Sequence, residues 1–196
     1  MESFNTTKII RTLAKKSVSL FSLSDFAKLF NIKRSNTLYK KIQRLEKNKI
    51  IQKLASGKYL FLLNPPNDYL IANYLYHPSY ISLESALSFY GMITGFPYKI
   101  VSVTCNKSKS INIKEKEFQY CRISQRLFWG YEKKEDFLIA EKEKALLDYL
   151  YFGSKGLRSI DWEEIEITGI NKGKLINYAR RFGKNKLLPY LREKIL

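Results

Sequence analysis

The chain has 196 residues, of which 45% are hydrophobic and 14% aromatic, and its formal net charge is +17. This apolar content excludes a disordered basic tail, because it is sufficient for packed cores. A positive excess of this size predicts an anionic partner. Nucleic acid is the commonest such partner, and a membrane surface is the second candidate.

The start of the chain and its cysteines indicate the compartment. Polar and charged residues recur in the first ten positions, which therefore lack the apolar run of a signal peptide. No uncharged apolar stretch approaches the length of a membrane span. Cys105 and Cys121 are too few for a disulfide scaffold, and their spacing matches no zinc site. We expect a cytoplasmic protein without a membrane segment, metal or cofactor.

Two prolines divide the chain into parts of different charge. Pro65 and Pro66 lack backbone donors and fix φ, which favours a break at this point. Residues 1–66 contain 14 Lys and Arg against 3 acids, whereas residues 67–196 contain 21 against 15. Such asymmetry is typical of a nucleic-acid-binding module joined to a companion domain. We predict a DNA-binding domain at 1–66 and a second domain at 67–196, with a helical end from about residue 155.

Apolar spacing predicts three helices and a hairpin in residues 1–66. The first helix has a loose apolar stripe from Phe4 to Leu13. Ser22 is expected to cap the second helix, with Asp25 in its first turn. Ser35 is expected to cap a third helix that runs to about Asn48, and strands follow at 50–54 and 58–62. Helix, helix, turn, helix and hairpin is the order of a winged helix-turn-helix.

The third helix is predicted to read DNA. Leu38, Ile42 and Leu45 form its buried stripe, and the opposite face is rich in hydrogen-bond donors. Asn36, Lys40 and Gln43 are the residues predicted to contact bases. The remaining predicted DNA-binding residues, which flank this face or hold phosphates, are Lys33, Arg34, Ser35, Tyr39, Lys41, Arg44 and the wing residues Lys53, Ser56 and Lys58. A solvated helix face is the alternative, but the preceding turn and the following hairpin favour DNA.

The second domain has an α+β pattern. We predict a helix at 80–91, with Ser82 or a neighbour as cap and Gly91 at its end. Strands are predicted at 100–105, at 118–123, from 127 onwards and at 137–140, and a helix at 141–152. The fold class is therefore α+β, with an N-terminal winged helix-turn-helix, a small sheet in the C-terminal domain and terminal helices.

Five segments of this domain occur in a characteristic order: 80–91, the strand that ends in Val103-Thr104, 118–123, 127–131 and Glu143-Lys-Ala-Leu-Leu-Asp-Tyr-Leu150. This order resembles that of the AbiEi antitoxins of type IV toxin–antitoxin, or abortive-infection, systems. The resemblance covers roughly residues 5–152. A proline that usually precedes the Glu-Lys-Ala sequence in the family is replaced here by Lys142.

The resemblance implies a function for the whole chain. AbiEi-like proteins repress their own operon by binding promoter repeats of double-stranded DNA through the winged helix. They also counteract a toxin that resembles a nucleotidyltransferase, without a stable toxin–antitoxin complex, and the C-terminal domain is needed for neutralisation. The resemblance assigns no residue to toxin neutralisation.

The end of the chain leaves two interpretations open. Helices are predicted at 172–182 and 184–195, after an acidic helix start or turn at 161–164. Six basic residues are expected to be exposed there: Arg180, Arg181, Lys184, Lys186, Arg192 and Lys194. They form either a second surface for DNA or RNA or a solvated helical cap.

No catalytic constellation is predicted, and the chain is not expected to be an enzyme. His77 precedes Pro78 in a predicted linker and is interpreted as a loop residue. Glu141, Glu143 and Asp148 are interpreted as an ordinary helix surface, because lysines alternate with them. Two alternative functions are a winged-helix regulator with a ligand-sensing second domain and an enzyme that acts on nucleic acid.

Overall fold

The computed structural model of the chain describes residues 5–95, 98–183, 187–188 and 191–192. Contacts divide the chain into two compact units, the first up to Leu75 and the second from Tyr76. Helices and small sheets occur in both units, which confirms the α+β class. Within the described part of the chain, no helix is long and apolar enough to cross a membrane.

The first unit combines four helices with a small antiparallel sheet. Its elements are α1 (Thr6–Lys15), β1 (Leu20–Ser22), α2 (Leu23–Leu29), α3 (Ser35–Lys47), β2 (Ile51–Ala55), β3 (Lys58–Phe61) and α4 (Asp68–Leu75). Strand β3 lies between β1 and β2 and is antiparallel to both. The three helices and the hairpin follow the predicted order, whereas β1 and α4 are additional elements that the sequence pattern did not predict.

The start of α2 follows the predicted capping pattern. Ser22 Oγ accepts the backbone N–H of Asp25 at 3.1 Å, and the Asp25 carboxylate accepts the backbone N–H of Ser22 at 2.9 Å. These reciprocal bonds form a capping box. The side-chain and backbone hydrogen bonds from Ser22 lower the pKa of Asp25. Phe26 of this helix packs with α1, α3 and the sheet in a common core.

Helix α4 explains why the first unit extends past the predicted boundary. Asn67 Oδ1 accepts the backbone N–H of Leu70 at 2.9 Å and so caps the start of the helix. Pro65 and Pro66 therefore precede a helix of the first unit, and the chain divides after Leu75 rather than after residue 66. The two prolines, which in the sequence indicate a domain boundary, instead mark the start of a helix.

The second unit is built on a mixed sheet with helices packed against it. Its elements are β4 (Ser79–Ile81), α5 (Leu83–Phe89), β5 (Lys99–Thr104), β6 (Lys109–Ile113), β7 (Lys116–Arg122), a 3₁₀ turn (Gln125–Leu127), β8 (Tyr131–Lys134), β9 (Phe137–Ala140), α6 (Lys142–Gly153) and α7 (Lys172–Phe182). The strand order is β6-β7-β5-β4-β9-β8, and the pairs β4–β9 and β5–β7 are parallel.

Two predictions for this unit require correction. The helix predicted over 80–91 begins only at Leu83, because Ser79–Ile81 pairs with β5 and β9 as a buried strand. The strand predicted from 127 begins at Tyr131, after the 3₁₀ turn. The helix predicted at 172–182 is confirmed as α7. Most of the helix predicted at 184–195 lies outside the described residues.

Candidate nucleic-acid interface

The orientation of α3 is set by its apolar stripe. Leu38, Ile42 and Leu45 are buried in the core of the first unit, as predicted. The opposite side of the helix is solvent-exposed, and we call it the α3 face. It consists of Asn36, Tyr39, Lys40, Gln43, Arg44 and Lys47. Tyr39 is 52% exposed, which is unusual for so large a ring. The three predicted base-contacting residues thus lie together on one accessible surface.

The start of α3 adds backbone donors and two cations to this surface. Lys33, Arg34 and Ser35 are all exposed. Arg34, not Ser35, occupies the N-cap position, with φ −89° and ψ 121°, and no side chain caps the helix. The reason is that Ser35 is already the first helical residue. The amide groups of the first turn carry partial positive charge, which favours an anion at this end.

The β2–β3 hairpin presents two of the three predicted wing residues to solvent. Lys53 lies opposite Tyr59 in the β2–β3 register, and Ser56 lies in the turn. Both are exposed. Gly57 follows with φ +67°, a left-handed conformation that glycine adopts without the steric strain that a Cβ atom would cause. Lys53 and Ser56 therefore remain available for phosphate contacts.

Lys58, the third wing residue, has a different role. Its ammonium donates to the backbone oxygens of Tyr74 at 2.7 Å and Leu75 at 2.8 Å, and lies 5.1 Å from the Tyr74 ring centroid. These carbonyls end α4, where the helix carries partial negative charge. The prediction that Lys58 holds a phosphate is therefore replaced by a structural role, because α4 binds its charged group.

A cleft between α1 and α3 extends the basic surface beyond the predicted residues. It has a volume of about 260 Å³, and its polar lining comprises Thr6, Thr37, Lys40, Lys41 and Arg44. Lys41, which is half-buried, lies here rather than on the α3 face. The sequence prediction did not include Thr6 or Thr37. The exposed cations at 8, 11 and 15 share a different face of α1 and do not line this cleft, so their helical spacing does not predict it.

The acid nearest in sequence does not neutralise the α3 face. Glu46 is the one acidic residue between 33 and 58, and it is half-buried. Burial is the main cause that raises the pKa of Tyr59, and the charges of Glu46 and Tyr39 add to this shift. Glu46 thus acts on the Tyr59 side of α3. The α3 face itself contains three cations and no carboxylate.

A second polar cluster lies in the second unit, and it corrects the prediction of an ordinary helix surface on α6. Lys144 and Asp148 form a buried ion pair, in which the Lys144 ammonium donates to Asp148 Oδ1. Lys144 also donates to the Tyr80 hydroxyl at 2.8 Å. Asp148 Oδ2 accepts from Tyr80 at 3.0 Å and from Ser82 at 2.9 Å. All four side chains are 0% exposed.

Burial dominates the titration of this pair. It raises the pKa of Asp148 and lowers the pKa of Lys144, and the attraction between the two groups opposes both shifts. The carboxylates at the start of α6 are also engaged rather than solvated. Glu143 accepts the Asn171 N–H at 3.0 Å and pairs with Lys174 at 3.1 Å, while Glu141 accepts from the Tyr178 hydroxyl at 2.6 Å. These carboxylates hold α7 against α6.

The basic residues near the end of the chain are only partly described. Arg180 and Arg181 are exposed on α7, and the Arg181 guanidinium stacks 3.8 Å from the Trp129 ring centroid. Arg192 is exposed as well, whereas Lys184, Lys186 and Lys194 lie outside the described residues. In the ranges that the structure covers, His, Cys, Asp and Glu side chains form no group of three that could hold a metal ion.

The sequence matches no model of a known protein family, and a search of curated proteins finds no match.

Proposed function

We propose that the chain binds double-stranded DNA through its first unit. The observation that carries this proposal is the α3 face, because Asn, Gln, Lys and Arg side chains match the donor and acceptor pattern of base edges. Asn36, Lys40 and Gln43 read bases in the major groove. Phosphates are held by Lys33, Arg34, Lys41, Arg44, Lys53 and Ser56, with Tyr39 and Ser35 beside them.

We further propose that the chain is an AbiEi-like antitoxin that represses its own operon. The segments that carry the resemblance contain regular elements of the second unit, namely β4 with α5, β5, β7 and α6. Its DNA partner would be repeats in its own promoter. Its functional partner would be a toxin resembling a nucleotidyltransferase, counteracted without a stable complex in the cytoplasm.

Footprinting of the promoter upstream of the gene tests the DNA-binding proposal. Lys40→Ala and Gln43→Ala should each cost about 1–3 kcal/mol of binding free energy and relax base preference at one position. Lys133→Ala is the control, because it removes an exposed lysine from β8 in the second unit. Failure to protect any duplex, or equal losses in all three variants, would contradict the proposal.

Co-expression with the neighbouring gene product tests the antitoxin proposal separately. The wild-type chain should restore growth that the neighbour arrests. A chain with both Lys40→Ala and Gln43→Ala should still restore growth when expressed from a foreign promoter, while a reporter on the native promoter is derepressed. A neighbour that causes no arrest, or arrest without rescue, would contradict the antitoxin role and leave the DNA-binding result intact.

A further inference from the structure

The second unit contains a polar pocket that neither DNA binding nor the buried ion pair uses. It lies between the β6–β7 edge of the sheet and the segment that follows α6, and its volume is about 370 Å³. Ser110, Gln119 and Cys121 line it from β6 and β7, together with Ser108 just before β6, and Leu157 and Arg158 line it from the opposite side. A pocket of this size matches a small organic ligand.

The hydrogen bonds around the pocket use the acceptors of Gln119 and Ser108 and leave their donors available. Gln119 Oε1 accepts from Arg158 Nη2 at 3.0 Å, so the Gln119 amide nitrogen is the group that can donate. Ser108 Oγ accepts the Arg122 N–H at 3.0 Å, which leaves its hydroxyl hydrogen to donate elsewhere. Ser110 is exposed and pairs in register with Gln119, which places both residues at one position of the β6–β7 edge. A ligand with several acceptor oxygens would satisfy these groups.

Arg158 is the cation placed beside Gln119, and the pocket lining contains no carboxylate. Lys109 also belongs to the lining, but its ammonium lies 5.6 Å from the ring centroid of Tyr76, which does not line the pocket. Arg158 is fixed by its own neighbours, because Nη1 donates to Leu157 O at 2.8 Å and Nε lies 2.5 Å from Glu84 Oε1. Burial raises the pKa of the Cys121 thiol; the charge and hydrogen bond of Arg158 and the charge of Lys99 act against this shift, and the Glu84 carboxylate adds to it. The guanidinium is therefore held in place before any ligand arrives, which reduces the cost of binding.

We propose that this pocket binds a small organic oxyanion, a phosphate ester or a carboxylate. The anionic group meets Ser110, Gln119 and Arg158, and the apolar part of the ligand rests on Leu157, whose side chain is 56% exposed. A ligand pocket is the feature that a regulator with a ligand-sensing second domain would need. The proposal is independent of DNA binding and of the antitoxin role.

Isothermal titration of the full chain at about 150 mM salt, where long-range attraction to the basic surface is screened, tests this pocket. The probes are the four nucleoside 5′-monophosphates and glucose 6-phosphate in one arm, and pyruvate, 2-oxoglutarate and citrate in the other. Uncharged nucleosides and inorganic phosphate serve as reference ligands. At least one organic anion should bind with a Kd below about 1 mM, and the arm to which it belongs identifies the anionic group.

Substitutions of pocket residues test whether the organic anion binds in this pocket. Ser110→Val and Gln119→Leu each remove a donor at nearly constant volume and should weaken binding about tenfold, the cost of one hydrogen bond to a charged group. Asn112→Val is the matched control, since Asn112 is exposed two residues further along β6 and outside the pocket lining. Circular dichroism establishes that each variant is folded. No binding by any organic anion, equal binding by inorganic phosphate, or equal affinity in all three variants would overturn the proposal.

Discussion

The buried ion pair of Lys144 and Asp148 gives the most quantitative prediction for stability. In Asp148→Asn the Lys144 ammonium stays buried, 5.2 Å from the ring centroids of Trp129 and Phe182, without its counter-charge. Breaking a buried pair by removing one partner costs about 3–5 kcal/mol. We therefore expect Asp148→Asn to destabilise the second unit by about 3–5 kcal/mol, even though asparagine can still accept from Tyr80 or Ser82.

The double variant tests the physical reason for this loss. Lys144→Met with Asp148→Asn removes both charges and leaves an apolar side chain among the aromatic rings. Because no uncompensated charge remains, the double variant should be more stable than Asp148→Asn alone, with a coupling energy of about 2–3 kcal/mol. Asp136→Asn is the control. It breaks the Lys133–Asp136 pair, whose side chains are 63% and 81% exposed, and should cost less than about 1 kcal/mol.

Tryptophan fluorescence during urea unfolding measures these changes in the stability of the second unit. The chain has two tryptophans, Trp129 and Trp162, and both belong to the second unit. The unfolding transition that they report therefore excludes direct signal from the first unit. A loss of less than about 1 kcal/mol in Asp148→Asn, or additive losses in the double variant, would refute the reasoning about the buried charge.

Three further predictions concern stability. Lys58→Met should destabilise the first unit by about 1 kcal/mol, because the end of α4 loses the cation that binds its carbonyl groups. Hydrogen exchange of the α4 amides should become faster, while the affinity for DNA stays unchanged. A reduced affinity for DNA would instead show that Lys58 belongs to the DNA interface. Gly130→Ala should destabilise the second unit by about 1–3 kcal/mol in urea, because Gly130 has φ +72° and a Cβ would lie 3.0 Å from Lys144 Cγ; a neutral substitution would show that the loop adjusts freely. Although burial acts in the opposite direction, the Asn171 amide and Lys174 lower the pKa of Glu143 below its ordinary value of 4.5. The contribution of the carboxylate to stability is therefore present above pH 4.5 and is lost as the pH falls through the folded pKa. The stability difference between wild type and Glu143→Gln should shrink as the pH falls below 4.5, and a constant difference would contradict this.

The elements with strong periodicity could be predicted from the sequence. α3 has a clear apolar stripe and an uninterrupted polar face, so its buried residues agree with the structure and its bounds agree to within one residue at each end. The short strands β1 and β6 have no such signal, because β1 contains three residues and β6 has no fully buried position. β1 is determined by its pairing with β3, far along the chain, and β6 by its tight hairpin with β7, in which Ile113 pairs with Lys116. Neither pairing produces an apolar pattern within the strand itself.

The same limit applies to individual charged residues. Lys53 and Lys58 are equivalent as wing lysines in the sequence, and only the position of α4 separates an exposed cation from a helix cap. Lys144 and Asp148 have the i, i+4 spacing of a common surface pair. In the structure this pair is buried, and the hydroxyls of Tyr80 and Ser82, more than sixty residues earlier in the chain, supply its hydrogen bonds. Tertiary contacts, not spacing, assign these roles.

The salt dependence of affinity for a promoter duplex tests most directly that the first unit binds DNA as described. Five cations are assigned to phosphates, namely Lys33, Arg34, Lys41, Arg44 and Lys53. Fluorescence anisotropy should therefore give a slope of log K against log salt concentration of about −4 to −5. Lys53→Met should reduce the magnitude of the slope by about 1, whereas Lys58→Met should leave it unchanged. A slope near zero, or the same slope for wild type and Lys53→Met, would contradict the account.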